Sequence, residues 1–427
     1  MNFVEELRWR GLLHDMMPGT EEELQKGMTS GYIGFDPTAD SLHVGSLSQI
    51  FTLMRFQKAG HKPFALVGGA TGMIGDPTGK SQERNLLSEE TLERNLQGIK
   101  AQLERFLDFD CGANSAQIVN NFDWFKDYSF LDFIRDAGKH ITVNYMMAKE
   151  SVKKRLDSDV GMSFTEFTYQ LIQGYDFYYL WKHKNMMLQM GGSDQWGNIV
   201  TGTEFIRRKE GGQAFALTSP LIRKADGTKF GKTEGGNIWL DAKRTSPYQF
   251  YQFWLNSSDE DAANYIKIFT FFNQTEVEEL IAEHAKAPHL RVLQKALAQD
   301  VTRRVHGEEA LQTALNTTDF LFGNGSLDFL RNMSAAEVLS VFEGIAQFEV
   351  SKSDFEQGLD LPTLLAEHTK IFSSKGEAKK MIAGGGVSVN RVKCNSAEAS
   401  SKDVEIIANQ FIVVQKGKKN YFLIKLK

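Results

Sequence analysis

The sequence predicts an α/β fold with a Rossmann-like doubly wound parallel sheet, followed by an all-α domain and a small α+β module. Three observations support this prediction. Short apolar runs alternate with helical periodicity over roughly the first 245 residues. Strand patterns then disappear between Pro247 and about Phe322, where apolar residues recur at helical spacing. The last part of the chain combines a basic helix, a glycine run and strand-like segments, as expected of a small α+β unit.

The first strand, helix and strand form the pattern of a βαβ unit. The run Gly31–Phe35 is typical of a short buried strand, and Asp36 and Pro37 end it. Ser41 offers an N-cap for the helix that follows, and Pro63–Val67 is the next strand. Because a helix connects these two strands, we expect them to be parallel.

The alternation continues through the rest of the first half. A helix is expected near Glu89–Leu107, a strand near Gln117–Asn121, a long helix over Phe164–Lys182, a strand at Met186–Met190 and a helix over roughly Gln195–Lys209. Strands separated by helices indicate a parallel sheet with helices on both faces.

Composition excludes several classes of protein. Of the 427 residues, 41% are hydrophobic and 24% are charged, so a disordered chain is excluded. No apolar run approaches the ~18 residues of a membrane span, and the N-terminus lacks the layout of a signal peptide. The two cysteines, Cys111 and Cys394, have no partners at metal-binding spacing. We therefore expect a cytoplasmic protein with no disulfide or zinc site.

Charge is distributed unevenly along the chain. The net charge of −5 alone argues against a nucleic-acid partner. Residues 361–427, however, hold 12 basic and 5 acidic residues, a net +7, and the remaining residues hold 37 and 49, a net −12. We expect four segments: a Rossmann-like domain (1–245), a helical domain (246–325), a linker (326–360) and a small basic domain (361–427).

The segment DPTADSLHVGSL, residues 36–47, lies at the first strand-to-helix junction. Helix N-termini present free N–H groups and partial positive charge, which suit phosphate. Gly45 would let a ligand approach the backbone, and His43 could donate a hydrogen bond to a phosphate oxygen. A capped helix with a surface histidine is the alternative interpretation.

The segment VGGATGMIGDPTGKS, residues 67–81, follows the second strand. It is not a Walker A loop, because three residues separate Gly75 and Gly79 where the motif requires four. Asp76, Lys80 and Arg84 are nevertheless charged groups near the carboxyl end of a parallel strand, where α/β proteins bind ligands. A glycine-rich crossover loop is the alternative.

Three polar residues share one face of the predicted long helix. Tyr169, Gln173 and Asp176 are spaced four and three residues apart among apolar neighbours. They form either a solvent-exposed face or the lining of a cleft that reads a small polar molecule. The segment GGSDQWGN, residues 191–198, follows the next strand and adds Asp194 and Gln195 at a small-residue turn.

The segment KADGTKFGKTEGG, residues 224–236, places Lys229 and Lys232 three residues apart between glycines. It is either a solvated hairpin tip or a mobile loop that brings ammonium groups onto a polyphosphate. The sequence has no G-x-S-x-G or H-E-x-x-H motif. Chemistry by positioning and charge stabilisation is therefore predicted, without a covalent nucleophile or a protein-bound metal.

Together and in this order, the motifs resemble the class I aminoacyl-tRNA synthetases, and the bacterial-type tyrosyl-tRNA synthetases in particular. HVGS (43–46) corresponds to the family's HIGH signature and KFGKT (229–233) to its KMSKS loop. The longer segments YIGFDPTADSLHVGSL, LVGGATGMIGDPTGKS, TEFTYQLIQGYDF and GGSDQWGN are similar to this family over most of the first 240 residues. SKGEAKKMIAGGGVSVN (374–390) is similar to the small RNA-binding module at the end of its members.

The resemblance implies a tyrosine–tRNA ligase. Such an enzyme activates L-tyrosine with ATP to tyrosyl-adenylate and pyrophosphate, and then transfers tyrosine to the 3′-terminal ribose of tRNA-Tyr. The implied partners are L-tyrosine, ATP with Mg, tRNA-Tyr and a second copy of the chain. No prosthetic group and no membrane partner are implied.

The resemblance also assigns roles to individual residues. For tyrosine, Tyr32 and Asp176 would bind the phenol, Tyr169, Gln173 and Asp76 the ammonium group, and Gln195 would lie near the carboxylate. For ATP, the residues are Gly34, Asp36, Thr38, His43, Gly45, Ser46, Gly192 and Asp194, and for the pyrophosphate Lys80, Arg84, Lys229, Lys232 and Thr233. For tRNA, they are Lys375, Lys379 and Lys380, with Arg207, Arg208 and Lys209 at a helix end that could equally be merely solvated.

Two positions depart from the family pattern. Ser46 replaces the second histidine of the signature, and Ile33 stands where the family often has a small polar residue near the ribose. The alternatives to the tyrosyl enzyme are a tryptophanyl-tRNA synthetase, a non-catalytic RNA-binding relative and a generic nucleotide-binding protein. Asp176, GGSDQWGN and the C-terminal module favour tyrosine, and the retained His43 and lysines favour catalysis.

Overall fold

The computed structural model describes residues 2–78, 87–157, 161–233, 236–322, 331, 333–342, 345–396, 398–417 and 420–427. The chain forms two compact units, one of residues 1–244 and 254–301 and the other of residues 245–253 and 302–427. The predicted boundaries at residues 245, 325 and 360 stay a prediction. Within the described ranges, no helix is both long and apolar enough to cross a membrane.

The first unit contains a six-stranded sheet. Its strands are β1 (Asp15–Met16), β2 (Ser30–Phe35), β3 (Lys62–Val67), β4 (Gln117–Asn120), β5 (Met186–Gly192) and β6 (Phe215–Ser219). They are ordered β1-β6-β5-β2-β3-β4, and all neighbours are parallel except β1 and β6. The predicted doubly wound parallel sheet is therefore confirmed, with an antiparallel edge strand that the sequence did not indicate.

The order of strands creates a crevice between β2 and β5. The chain runs outward from β2 to β3 and β4, and then returns to the other side of β2 to form β5 and β6. Ligands of such sheets bind at this switch point, beyond the carboxyl ends of the strands. The residues after Phe35 and Gly192 therefore face the same crevice.

Helices surround this sheet. They are α1 (Phe3–Trp9), α2 (Thr20–Gln25), α3 (Val44–Lys58), α4 (Gly69–Ile74), α5 (Glu89–Leu103), α6 (Phe122–Phe125), α7 (Phe130–Phe133), α8 (Val143–Met147), α9 (Glu150–Leu156), α10 (Phe164–Lys184) and α11 (Trp196–Glu210). A π-helical turn, Ile134–Gly138, follows α7. The predicted helices match α3, α5, α10 and α11 within a few residues.

The N-cap of α3 differs from the prediction. His43, not Ser41, precedes the helix in extended geometry, and its ring accepts a hydrogen bond from the Gly45 N–H. Ser41 instead donates to the Leu42 carbonyl and accepts from the amide of Gln102. The helix thus begins at Val44, and a histidine side chain is fixed at its N-terminus.

Helices dominate the next part of the chain, as predicted. They are α12 (Pro247–Leu255), α13 (Asp259–Phe269), α14 (Gln274–Lys286), α15 (Val292–His306) and α16 (Glu308–Phe322). Before them lies a short hairpin of β7 (Lys232–Thr233) and β8 (Gly236–Asn237).

The C-terminal part is an α+β body, as predicted. Its helices are α17 (Ala335–Val341), α18 (Lys352–Gly358), α19 (Leu361–Thr363) and α20 (Lys375–Ala383), and its strands are β9 (Gln347–Val350), β10 (Val387–Val389), β11 (Val392–Lys393), β12 (Phe411–Lys416) and β13 (Asn420–Leu426). The sheet order is β11-β10-β12-β13-β9. Strand β9 lies within the predicted linker 326–360 and pairs in parallel with β13, so this sheet begins before residue 361.

Candidate active site

A cavity of about 750 Å³ lies at the carboxyl ends of β2 and β5. It brings together most of the predicted site residues from five separate segments of the sequence. These are Tyr32, Gly34, Asp36, Thr38, His43, Gly45, Ser46, Asp76, Tyr169, Gln173, Asp176, Gly192, Asp194, Gln195, Lys229 and Lys232. Lys80 and Arg84 lie outside the described residues, and Thr233 is described only as the second residue of β7.

Asp176 is a buried carboxylate at one end of the cavity. Its two oxygens accept hydrogen bonds from Asn121 Nδ2 at 3.1 Å and from Trp124 Nε1 at 2.9 Å. Burial raises the pKa of Asp176 to about 8, although both hydrogen bonds act to lower it. The site thus holds an acid that is costly to ionise and is oriented by two neutral donors.

Tyr32 faces the cavity beside Asp176. Its hydroxyl is buried and has no hydrogen-bond partner among the described residues. Burial, and secondarily the charge of Asp176, raise the pKa of Tyr32 well above its ordinary value, so the phenol stays protonated. An unpaired buried hydroxyl is costly, and a polar ligand would supply its missing partner.

Tyr169 joins this region to the start of the loop that follows β2. Its hydroxyl donates to Asp36 Oδ2 at 2.8 Å, and Thr71 Oγ1 donates to the other oxygen of Asp36 at 2.8 Å. Asn121 Nδ2 in turn donates to Thr71 Oγ1 at 3.1 Å. The polar face of α10 therefore lines a cleft and is not a solvent-exposed face.

A second polar chain lines the adjoining wall. Gln195 Nε2 donates to Asp76 Oδ2 at 2.7 Å, and Gln173 Nε2 donates to Gln195 Oε1 at 3.3 Å. The Oε1 atom of Gln173 is buried and unbonded among the described residues. Burial and the nearby Asp76 raise the pKa of Asp194. This wall presents acceptors, which suit an ammonium group.

His43 stands at the other end of the cavity with a defined tautomer. Its Nδ1 accepts from the Gly45 N–H at 3.0 Å, so Nε2 carries the ring proton and is the available donor. Burial, and then the charge of Lys232, lower the pKa of His43, which keeps the imidazole neutral. A Cβ atom on Gly45 would lie 2.7 Å from His43 Cε1, so the cap requires glycine there.

The lysine segment is a structured hairpin beside this histidine. Arg223 and Lys229 form an antiparallel bridge, and the N–H of Val44 donates to the carbonyl of Ile238 at 2.9 Å. The segment is thus a hairpin whose two lysines also line the cavity. That these lysines bind a polyphosphate stays a prediction.

Comparison with known proteins identifies the family. Residues 25–323 match the sequence model of the tRNA synthetases class I (W and Y), and residues 337–424 match that of the tyrosine–tRNA ligase SYY-like C-terminal domain. The chain belongs to this family. The predicted resemblance is therefore confirmed.

Members of the tyrosine–tRNA ligase family match along the full length. The tyrosine–tRNA ligases of Cytophaga hutchinsonii and Porphyromonas gingivalis are each 61% identical, with 99% of both chains covered. A C-terminally truncated mitochondrial tyrosyl-tRNA synthetase of Aspergillus nidulans has a similar structure, with a TM-score of 0.66, 29% identity and coverage of 73% of this chain and 92% of that chain. A tryptophanyl-tRNA synthetase of Encephalitozoon cuniculi shares the fold at 12% identity, with a TM-score of 0.53 over 72% and 87% of the two chains. The tryptophanyl alternative is not favoured.

The basic residues predicted to contact tRNA differ in their surroundings. On α11, Arg207 and Arg208 pair with Glu204, and Lys209 pairs with Asp136. Lys375 lies 3.1 Å from Glu367, and α20 also carries Lys379 and Lys380, which are exposed. Arg207 and Arg208 are exposed as well, whereas Lys209 and Lys375 are half-buried.

Several residues of the site were missed from sequence. Asn121 and Trp124 orient Asp176, Thr71 holds Asp36, and the buried Gln189 lines the cavity. One signal was available for Asn121, because it directly follows β4 at the edge of the sheet where ligands bind. Among the described residues, no group of three His, Cys, Asp or Glu side chains could hold a metal ion.

Proposed function

We propose that this member of the family is a tyrosine–tRNA ligase whose cavity binds tyrosine at the Asp176 end and ATP phosphates at the His43 end. The observation that supports this most is the buried pair Tyr32 and Asp176, at the end of a cavity that both signature segments also line. A phenol entering there gives Tyr32 a partner and donates to Asp176. Phenylalanine would leave both groups without a hydrogen-bond partner. Discrimination between tyrosine and phenylalanine in this family is the general example of this effect.

The amino group of tyrosine binds on the opposite wall. Tyr169, Gln173 and Asp76 supply oxygen atoms there, and the Gln195–Asp76 bond fixes the position of the carboxylate acceptor. Gln195 lies next to the substrate carboxylate. Binding both ends of the amino acid orients its carboxylate oxygen towards the α-phosphorus of ATP.

Activation forms a bond between that carboxylate oxygen and the α-phosphorus, and breaks the bond from the α-phosphorus to pyrophosphate. Thr38 and the Nε2–H of His43 donate to phosphate oxygens as charge develops on them. Gly192 and Asp194 hold the ribose. Gly34, Asp36 and Gly45 shape the nucleotide-facing wall, and Ser46 supplies a hydroxyl in place of the second imidazole.

The leaving pyrophosphate is neutralised by cations. Lys229 and Lys232 line the phosphate end of the cavity, and Lys80, Arg84 and Thr233 complete the proposed set. Magnesium enters as the counter-ion of ATP. Among the described residues, no group of three His, Cys, Asp or Glu side chains could hold a metal ion.

In the second reaction the terminal ribose hydroxyl of tRNA-Tyr attacks the carbonyl carbon of the adenylate, and AMP leaves. We assign tRNA binding to the basic C-terminal body, with Lys375, Lys379 and Lys380, and to Arg207, Arg208 and Lys209 on α11. The net +7 of residues 361–427 supports this assignment.

Tyrosine-dependent exchange of pyrophosphate into ATP tests the activation step. We expect exchange with tyrosine and at least 10²-fold less, as an order of magnitude, with phenylalanine or tryptophan. Exchange stimulated by tryptophan alone would overturn the assignment. Absence of exchange with any amino acid would favour a non-catalytic RNA-binding protein instead.

We also propose a homodimer. Apolar side chains on α7, α8 and the start of α10 are strongly exposed, with Phe130 at 64%, Leu131 at 70%, Val143 at 60% and Phe164 at 68%. Large apolar side chains exposed to this extent are typical of interaction surfaces, and a second copy of the chain is the partner that the family implies. The free thiols of Cys111 and Cys394 are consistent with our proposal of a cytoplasmic location.

The oligomeric state of Leu131→Glu tests this surface. We expect the variant to elute as a monomer in size-exclusion chromatography with light scattering, because a buried unpaired carboxylate would be costly at the interface. Leu290→Glu is the matched control, since Leu290 is 52% exposed on a different segment. A dimeric Leu131→Glu variant would remove α7 from the interface.

A further inference from the structure

The tip of the hairpin that carries Lys229 and Lys232 forms hydrogen bonds within itself. The N–H and hydroxyl of Thr228 both donate to Asp226 Oδ1, at 2.8 and 2.6 Å. The Lys224 N–H donates to the Thr228 carbonyl at 3.0 Å. The tip is thus stabilised by its own hydrogen bonds, and its position depends on what holds its base.

Phe230, between the two lysines, is inserted into an aromatic pocket formed by Trp254, Tyr265 and Phe269. Its ring centroid lies 5.7 Å from Trp254, 4.9 Å from Tyr265 and 5.1 Å from Phe269, and the Phe269 ring is stacked on it. Phe230 is only 9% exposed, although its neighbours Lys229 and Lys232 are exposed. Aromatic pairs at these distances have preferred geometries, so the pocket fixes the backbone between the lysines.

A polar contact holds the other side of the hairpin. The Ala225 N–H donates to Asp261 Oδ1 at 2.8 Å. Asp261 lies in the first turn of α13, where its other oxygen accepts from the Ser258 hydroxyl at 2.8 Å. Tyr265 and Phe269, on the same helix, follow Asp261 at spacings of four and eight residues, which places all three on one face.

The opposite end of α13 is fixed to the helix that His43 caps. Arg55, a buried residue of α3, donates to the carbonyls of Ile268 and Thr270, both at 2.8 Å. Arg10 also donates to Thr270, at 3.1 Å. Guanidinium groups at a helix C-terminus satisfy its free carbonyls and complement its dipole. Helix α13 therefore contacts α3 at one end and the lysine hairpin at the other.

We propose that Asp261 and the aromatic pocket are positioning residues for activation: they hold Lys229 and Lys232 where the pyrophosphate forms. This inference rests on the roles that the proposed function gives the two lysines. Neither Asp261 nor the pocket touches the substrate in this scheme. Their effect is on the location of two ammonium groups relative to His43, which shares the cavity with them.

The competing explanation is that the aromatic cluster is ordinary core packing. It predicts that pocket variants lose stability and affect all substrates alike. Positioning predicts a selective loss, because tyrosine binds at the far end of the cavity. The Asp261–Ala225 bond separates the two explanations, since the bond is exposed and its removal truncates none of the rings of the aromatic cluster.

The experiment compares Asp261→Ala, Asp261→Asn, Phe230→Ala and Phe230→Met in the full-length protein. Pyrophosphate exchange gives kcat and KM for ATP, equilibrium dialysis gives tyrosine affinity, and tryptic cleavage after Lys229 and Lys232 reports how firmly the hairpin is held. Glu260→Ala is the control, because Glu260 is an exposed acid in the same first turn of α13 and the change leaves the Asp261–Ala225 bond.

For Asp261→Ala and Phe230→Ala we expect kcat/KM for ATP to fall about tenfold, the loss typical of one hydrogen bond to a charged group. Tyrosine affinity should change less than twofold, and tryptic cleavage should accelerate. Asp261→Asn keeps an acceptor oxygen and should restore the rate, with Phe230→Met restoring part of it. Unchanged kcat/KM in both alanine variants, beside a loss in Lys229→Ala and Lys232→Ala, would overturn the positioning role. Full activity of the lysine variants would instead overturn the lysine roles on which it rests.

Discussion

Trp124 donates its indole N–H to Asp176 over 2.9 Å, although 52 residues separate them in the chain. Asn121 donates to the other carboxylate oxygen. Two neutral donors orient the carboxylate. The groups that shift its pKa include no cation that would offset its burial. The end of the cavity that we propose for tyrosine therefore holds this carboxylate at a cost in folding stability.

This cost predicts a pH dependence of stability. Burial raises the pKa of Asp176 from its ordinary value of 3.8 to about 8 in the folded protein. Between these values the folded state binds a proton that the unfolded state does not, so this contribution to stability is lost as pH rises towards 8. Over this pH range, Asp176 should lower the free energy of unfolding of the wild type by an amount on the order of a few kcal/mol. Asp176→Asn should abolish this fall.

Urea unfolding of the wild type and Asp176→Asn at pH 5, 6.5 and 8, without tyrosine, measures this difference. Relative to the wild type, the free energy of unfolding of the variant should increase as pH rises. The variant should bind tyrosine more weakly than the wild type and should bind ATP equally well. Parallel stability curves would show that Asp176 ionises normally. Unchanged tyrosine affinity would remove Asp176 from the binding site.

Tyr32→Phe should weaken tyrosine binding without lowering folding stability. Truncation of an ordinary core residue would lower folding stability. The Tyr32 hydroxyl has no partner among the described residues, so its removal should leave thermal stability equal or higher. Tyrosine affinity should fall by ~2–10-fold, the worth of one neutral hydrogen bond. Calorimetry and tyrosine titration of the same preparation test this. A large loss of stability would mean that the hydroxyl is paired in the ligand-free protein.

Local spacing predicted the parts of this site that lie on one element. Tyr169, Gln173 and Asp176 share a face because a helix repeats every 3.6 residues, and the structure places all three on the cavity. Strand ends were equally predictable, since carboxyl ends of parallel strands meet at one edge. The roles of these residues in catalysis stay proposals.

Pairs between distant elements could not be predicted in this way. Nothing in the local sequence indicates that Trp124 meets Asp176, or that Phe230 packs on α13. Strand β6 was missed because all five of its residues are buried, which removes the alternation that marks a half-buried strand. His43 caps α3 where Ser41 was predicted, because the backbone places the His43 ring, and not the Ser41 hydroxyl, next to the free N–H of Gly45.

Lys232→Ala should change the titration of His43. The charge of Lys232 contributes to lowering the pKa of His43, after burial. Removing it should raise the pKa and extend the pH range over which the ring is protonated. NMR titration of the His43 ring measures the shift, and Lys229→Ala serves as the comparison because Lys229 is not among the causes of the His43 shift. Equal titration curves in the wild type and Lys232→Ala would place Lys232 away from the ring.

Charge reversal on α20 should uncouple the two reactions. Deleting residues 361–427, the simplest test of the sequence prediction, would remove β13 and leave β9 without its partner strand, so loss of tRNA charging would be ambiguous.

Lys379→Glu and Lys380→Glu change exposed side chains only. We expect pyrophosphate exchange to be unchanged and aminoacylation at low tRNA concentration to fall, with a weaker dependence on salt because fewer counter-ions are released. Glu356→Lys, an exposed charge change on α18, is the control. Equal aminoacylation by the wild type and both lysine variants would exclude this helix from the tRNA-binding surface.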